Sequence, residues 1–216
     1  LKVATLYYFE GLKQAEIAKK IGVSRPLISK LLNKAKEHGI VEIYIRDENA
    51  HTVELEHQLE RKYGLKEAIV IPTAGRNSDM IKHSLGKAAS FYVSKNIEGA
   101  KKLGISWGST LEKFVQEYPY EQHQQLKIIP LVGGMGSKLV EIHSNLLAYQ
   151  LAQKMNATCS YLYAPAMVES EELKKRLIQS EDIALVFEEG GNVDMAVGGL
   201  ETPFEESTMT TMEYLK

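Results

Sequence analysis

Apolar residues recur along this chain with two different periods, and the change of period divides it. Leu12, Ile17 and Ile21 share one face at helical spacing, with Ala15 and Ala18 beside them. Leu1 to Phe9 ("LKVATLYYF") already reads as the middle of a helix. Gly22 suits the left-handed residue that ends a helix, and Val23 is expected to plug the turn. Ser24 is a good N-cap for a second helix, whose first turn tolerates Pro26. Ile28, Leu31, Leu32 and Ala35 then form an inward stripe, and Gly39 ends it. Ile40 to Arg46 ("IVEIYIR") alternates apolar and polar residues, as a wing strand should.

Asp47 to His51 reads as a polar linker and Thr52 to Tyr63 as a charged helix with a thin apolar stripe of Val53, Leu55 and Leu59, stopped by Gly64. Such a helix connects domains, pairs between subunits or caps the next domain. From Leu65 a strand–helix rhythm sets in. Strands are expected at Glu67–Pro72, Lys102–Trp107, Leu126–Val132, Thr158–Pro165 and Val193–Leu200. Helices are expected from Ser78 or Asp79 to about Ile97, and at Ser109–Glu117, His143–Met155 and Glu171–Gln179. The first of these should face inward with Ile81, Leu85, Ala88, Ala89 and Tyr92. Near-continuous apolar strands alternating with helices imply a parallel sheet covered on both faces. The expected fold class is α/β: a winged helix-turn-helix over residues 1–46, a linker helix over 47–64, and a Rossmann-like parallel-sheet domain over 65–216.

The polar positions of the second helix change the picture. Arg25, Ser29 and Asn33 lie outward, with Lys30 and Lys34 to one side, and Gln14 starts the preceding helix. Arg suits guanine, Asn suits adenine, and Ser and Lys serve phosphates and bases alike. The candidate DNA-contacting set is therefore Gln14, Ser24, Arg25, Pro26, Ser29, Lys30, Asn33 and Lys34. Residues 1–46 hold nine basic and four acidic side chains, about +5, which leaves about −7 for the rest of a chain whose net charge is −2. A basic arm on an acidic body is an electrostatic footprint for nucleic acid. The competing reading is a helical hairpin with a solvated basic face that meets protein.

Three expected strand ends are rich in glycine. "GISWGSTL" (Gly104 to Leu111) runs into Gly108, after which Ser109 and Thr110 open a helix; free N–H groups, hydroxyls and a helix N-terminus suit a phosphate. "PLVGGMGSK" (Pro130 to Lys138) offers Gly133, Gly134 and Gly136 for close backbone approach. "VGGLE" (Val197 to Glu201) is the third. Plain turns explain each loop as well as a ligand does. In open parallel sheets ligands bind beyond the strand C-terminal ends, and His143 after the second loop is placed to reach one. The loops match neither a dinucleotide fingerprint nor a phosphate-binding P-loop, the six histidines form no metal spacing, and no nucleophilic triad stands out, so neither cofactor nor metal is expected. The single cysteine, Cys159, excludes an internal disulfide. No apolar run approaches a membrane span and no signal peptide is visible, so a cytoplasmic protein is expected.

Together "LYYFEGLKQAEIAKKIGVSRPLISKLLNKAKEHGIVEI", "GISWGSTL", "IIPLVGGMGS" and "EIHSNLLAYQLAQKMNATCSYLYAPAMVES" resemble the SorC/DeoR-type family of sugar-binding bacterial transcription regulators, which includes the central glycolytic gene repressors. The resemblance implies an effector domain similar to sugar-phosphate isomerases and deaminases, dimers or tetramers on operator DNA, and a phosphorylated sugar that changes DNA affinity. It places effector contacts at Gly108, Ser109, Thr110, Gly133, Gly134 and Gly136, with polar contacts near His143 and Asn145. Family members are longer, so this chain is expected to lack their distal part. Two other functions compete: a sugar-phosphate isomerase or deaminase with a DNA-binding arm, and a helix-turn-helix protein whose α/β domain only oligomerises.

Overall fold

A computed structural model describes residues 1–37, 39–41 and 50–201; the side chains of Glu37, Ala50 and His51 fall outside that description. The chain forms two compact units, Leu1–Val53 and Glu54–Lys216.

The first unit holds α1 (Lys2–Tyr8), α2 (Gln14–Ile21) and α3 (Arg25–Glu37). Leu6, Ile17, Ala18, Ile28 and Leu32 are its core, with Leu12, Ile21 and Val23 packed against them. Gly22 ends α2 at φ 80°, where a side chain would strain, and its N–H donates to the Ala18 carbonyl. The α2 start is fixed by Glu16, whose carboxylate accepts from the Lys13 N–H at 2.7 Å. Ser24 precedes α3, and its carbonyl accepts from the N–H groups of Leu27 and Ile28. One member of the expected inward stripe fails: Leu31 is 40% exposed. On α3 it sits to the side of Ile28, Leu32 and Ala35, which alone face the core. Of the wing strand, Ile40 and Val41 are bends, and Glu42 to Arg46 lie outside the described residues.

The second unit begins within α4 (Ala50–Tyr63) and continues through α5 (Ser78–Asn96), β1 (Lys102–Ile105), α6 (Ser109–Glu117), β2 (Lys127–Pro130), α7 (Ser144–Met155), β3 (Thr158–Cys159), α8 (Glu171–Gln179), α9 (Glu181–Gly191) and β4 (Met195–Val197). A single 3-10 turn, Val140–Ile142, precedes α7. The four strands form one parallel sheet in the order β3-β2-β1-β4. Leu103, Ile105 and Ile128 face a core shared with α5, α6 and α7, built on Val93, Phe114, Leu147 and Leu151. Ile129 faces the other way, onto Ile183 and Val186 of α9.

Several expected elements change. Glu67–Pro72 is not a strand: the Ala68 and Val70 N–H groups donate to Glu60 and Glu56 of α4, at 3.0 and 2.9 Å. Carboxylates from a helix have taken the donors that a neighbouring strand would use. Asn77, not Ser78 or Asp79, caps α5, accepting from the Met80 N–H. The buried face of that helix is Gly86, Ser90 and Val93, and Leu85 is exposed. The reason is Gly86, where a Cβ would lie 2.6 Å from the Phe114 nitrogen; α5 turns its smallest side toward α6. Strand ends expected at Trp107, Val132, Pro165 and Leu200 stop earlier, at Ile105, Pro130, Cys159 and Val197. The helix α9 was not expected; its run Ile183–Phe187 is apolar throughout, without a helical period.

Candidate functional site

On the N-terminal unit, the outer side of α3 presents Arg25, Pro26, Lys30, Asn33 and Lys34 to solvent, while Ser29 and Gln14 are half-buried. Among the described residues none of Arg25, Lys30 and Lys34 has an ion-pair partner, so three cations stand free on one helix. Ser24 is exposed at the turn before them. An open groove of ≈ 670 Å³ runs along Tyr7, Gly11 to Ala15 and Arg25, so Gln14 and Arg25 share one wall system.

On the second unit, strand order gives the sheet its crevice. The chain leaves β1 for β2 and β3 on one side and returns to β4 on the other, so the switch lies between the C-terminal ends of β1 and β4. There the Ser106 N–H donates to the Val197 carbonyl at 2.9 Å, placing Gly198 and Gly199 beside the β1 loop. Gly108 takes φ 127° and ψ 159°, a conformation only glycine adopts easily, and this lets α6 start at Ser109 and Thr110. Its own N–H is not free: it donates to the Ile142 carbonyl at 3.1 Å. That bond draws the 3-10 turn, and the start of α7 behind it, toward the α6 N-terminus. The buried hydroxyl of Ser144 donates to the Ile105 carbonyl at 2.7 Å and fixes α7 to the end of β1. Two helix N-termini thus border the same strand end.

The remaining candidates divide. Gly133 is packed against protein: a Cβ there would sit 2.3 Å from the Ala164 oxygen. Gly134 bonds the same segment, donating to Ala164 and accepting from Ala166, both at 2.8 Å. These two glycines let the β2 loop lie against residues 164–166. Gly136 has φ 76° and lies farther out in the loop, at an exposed position. His143 is buried at the N-cap of α7, and its Nε2 pairs with the Lys138 carbonyl at 3.0 Å, which holds the loop down. Asn145 clasps the backbone of Leu162, accepting from its N–H at 2.9 Å and donating to its carbonyl at 3.0 Å. Gly108, Ser109, Thr110 and His143 therefore converge on one edge, whereas Gly133, Gly134 and Asn145 join the β2 loop and α7 to the chain after β3.

A family model described as "putative sugar-binding domain" matches residues 47–216. The chain belongs to the SorC/DeoR-type regulator family. It is 31% identical over 205 residues to the sorbitol operon regulator of Klebsiella pneumoniae, covering 94% of this chain and 65% of that protein. It is 27% identical to the deoxyribonucleoside regulator of Bacillus subtilis, covering 99% of this chain and 68% of the relative. The chain thus spans about two thirds of the length of these curated relatives. Among solved structures it is similar to a DeoR family transcriptional regulator from Listeria monocytogenes, with 44% identity, TM-score 0.69, and 76% and 64% of the two chains covered. It is also similar to the full-length sorbitol operon regulator SorC of Klebsiella pneumoniae, with TM-score 0.78, 29% identity, and 98% and 70% covered.

Two fixed points of this SorC/DeoR-type sheet had no signal in the sequence reading. Asp194, just before β4, accepts from the Lys101 and Lys102 N–H groups at 2.8 and 2.9 Å. Those bonds hold its carboxyl below the usual range. Glu189 of α9 pairs with Lys127 at 2.5 Å and accepts from the Ser160 hydroxyl at 2.6 Å. Burial pushes its pKa up, but the lysine and the hydroxyl outweigh this and leave it lowered. Both partners are ordinary polar residues in sequence; only the crossover from β3 back to β4 brings them together. Among the described residues no group of three His, Cys, Asp or Glu side chains forms a metal site, and no helix is long and apolar enough to cross a membrane.

Proposed function

We propose that this chain is the DNA-binding and effector-binding part of a transcription regulator whose operator affinity is set by a phosphorylated sugar. The observation that carries the output side is the exposed face of α3, where Arg25, Lys30 and Lys34 stand unpaired beside Asn33. In this reading α2 and α3 form a helix-turn-helix, α3 enters the major groove, and Gln14 contacts backbone phosphate. The input side rests on the sheet edge. An anionic sugar phosphate would be met by the N-termini of α6 and α7, with Ser109, Thr110 and His143 in reach. The relatives that bear the names of a sorbitol operon regulator and a deoxyribonucleoside regulator support a sugar-linked effector class.

Fluorescence anisotropy with DNA from the chain's own promoter region tests the output. Arg25→Ala with Asn33→Ala should weaken binding by a hundredfold or so, on the basis of about 1–3 kcal/mol for each base contact. Unchanged affinity would remove α3 from the recognition role. Lys30→Ala should instead lower the salt slope of binding by about one unit. Thermal shift with a panel of phosphorylated sugars tests the input, since a ligand at about 100 times its Kd stabilises the fold by roughly 2.7 kcal/mol. A positive ligand must then change the anisotropy titration. A silent panel would favour a sheet domain that serves only assembly.

A further inference from the structure

α4 crosses the boundary between the two units: its residues through Val53 fall in the first, and those from Glu54 onward in the second. Little apolar packing fastens it. Val53 and Leu55 are 40% and 44% exposed. Among the described residues no α4 side chain is buried or belongs to the sheet-domain core. Its attachment is polar. Gly64, at φ 66°, turns the chain back, and the Leu65 N–H donates to the Glu60 carbonyl at 3.1 Å. The returning segment runs antiparallel to the helix. The Ala68 N–H donates to the Glu60 carboxylate at 3.0 Å, and the Val70 N–H to the Glu56 carboxylate at 2.9 Å.

Spacing makes the match. Four residues of helix rise about 6 Å and two residues of extended chain span about 6.7 Å, so carboxylates one turn apart reach alternate N–H groups. Glu54, on the same helix, instead accepts from Gln58 along the helix. The Ala68 N–H, and after it the bond from His57, hold the Glu60 carboxyl below its usual range, which keeps it a charged acceptor. The segment it holds has the composition of a strand, with Ile69, Val70 and Ile71 in succession. The Ala68 and Val70 N–H groups can serve the carboxylates or a neighbouring strand, but not both at once. An element held by a few polar bonds over little apolar contact is one that opens locally, without the rest of the domain.

We propose that Glu56 and Glu60 are positioning residues: with the Ala68 and Val70 N–H groups they form a releasable clasp that fastens the helix crossing between the units to the sheet domain. Closed, the clasp makes α4 move with the sheet domain. Open, it releases the helix and both N–H groups. Its bonds all lie within the second unit, so it stands or falls apart from the DNA and effector readings.

Hydrogen exchange of the full chain, read by mass spectrometry on peptides covering residues 65–73 and the strands β1 and β2, tests the clasp. Small-angle X-ray scattering tests what it holds. Glu56→Ala with Glu60→Ala should speed exchange in 65–73 at least about tenfold and leave β1 and β2 unchanged. Glu56→Gln with Glu60→Gln keeps side-chain oxygens that accept, so exchange should stay near wild type. Glu54→Ala, on the same helix, should change neither measurement. In scattering, the alanine pair should widen the distance distribution of the chain, and the glutamine pair should match wild type. Equal exchange in wild type and the alanine pair would overturn the clasp. Equal acceleration in β1 and β2 would make the glutamates general stabilisers, and an opened clasp with unchanged scattering would remove their positioning role; either result overturns the proposal.

Discussion

The loops after β1 and β2 look alike as sequence, each an apolar strand running into glycine, yet the glycines do different work. At the end of β1, Gly108 is needed for its backbone angles: a Cβ would meet nothing within 4 Å, but φ 127° suits only glycine. At the end of β2, Gly133 is needed for its missing side chain: its φ is not in the left-handed region, but a Cβ would overlap the Ala164 oxygen. The first glycine opens a helix toward the sheet edge. The second lets one piece of protein lie on another. A glycine-rich strand end is thus a ligand signal only when no other part of the chain occupies the space the glycine leaves.

Substitutions should separate the two cases. The largest effect belongs to Gly133→Ala, where a rigid backbone oxygen blocks the new atom; thermal or urea unfolding should show a loss of about 3 kcal/mol. A loss near zero would mean that the 164–166 segment does not lie against this loop. Asn145→Ala follows, at roughly 2 kcal/mol, because the buried Leu162 loses partners for both its N–H and its carbonyl. Asn145→Asp should recover part of this, since a carboxylate still accepts from the Leu162 N–H. Gly108→Ala should cost about 1–2 kcal/mol in backbone strain. Unlike Gly133→Ala, it should also reduce any sugar-phosphate thermal shift, because it disturbs the start of α6. Equal effects of both glycine variants on ligand response would erase the distinction drawn here.

The smallest effect is a pH dependence on the side of the sheet away from both loops. The Glu189 pKa is lowered in the folded state by Lys127 and Ser160. Its stabilising contribution is therefore complete above the unfolded glutamate pKa and is lost as pH falls through the lower folded value. Ser160→Ala should therefore lower stability slightly at neutral pH and flatten its fall on acidification, with little change once the pH is below the folded value. An unchanged acid profile would show that the pair contributes nothing to stability.

Much of the architecture was legible because it is local. The α6 start follows from Gly108 and the α8 start from the hydroxyl cap of Ser170, and Gly22 and Gly64 mark helix ends through φ values of 80° and 66°. The outer face of α3 was readable for the same reason, except at Leu31, which borders the buried stripe. What local pattern could not supply was the partner. Ile69, Val70 and Ile71 have the β-branched content of a strand. They form none, because Glu56 and Glu60 reach the backbone first. In α9, five consecutive apolar residues hide the fact that only Ile183 and Val186 face the sheet. Asn145 stands among the expected effector contacts, and the backbone of Leu162, which its amide clasps, is a partner that no local pattern names.

By itself the sequence determined the alternation of strands and helices, the basic outer face of α3 and the glycines at the strand ends, since each rests on side-chain period, charge or backbone freedom within a few residues. Tertiary structure decided the strand order β3-β2-β1-β4, and with it the crevice beside β1 and the role of each glycine. Those features depend on which distant segments share a neighbour, and only the packed chain sets that.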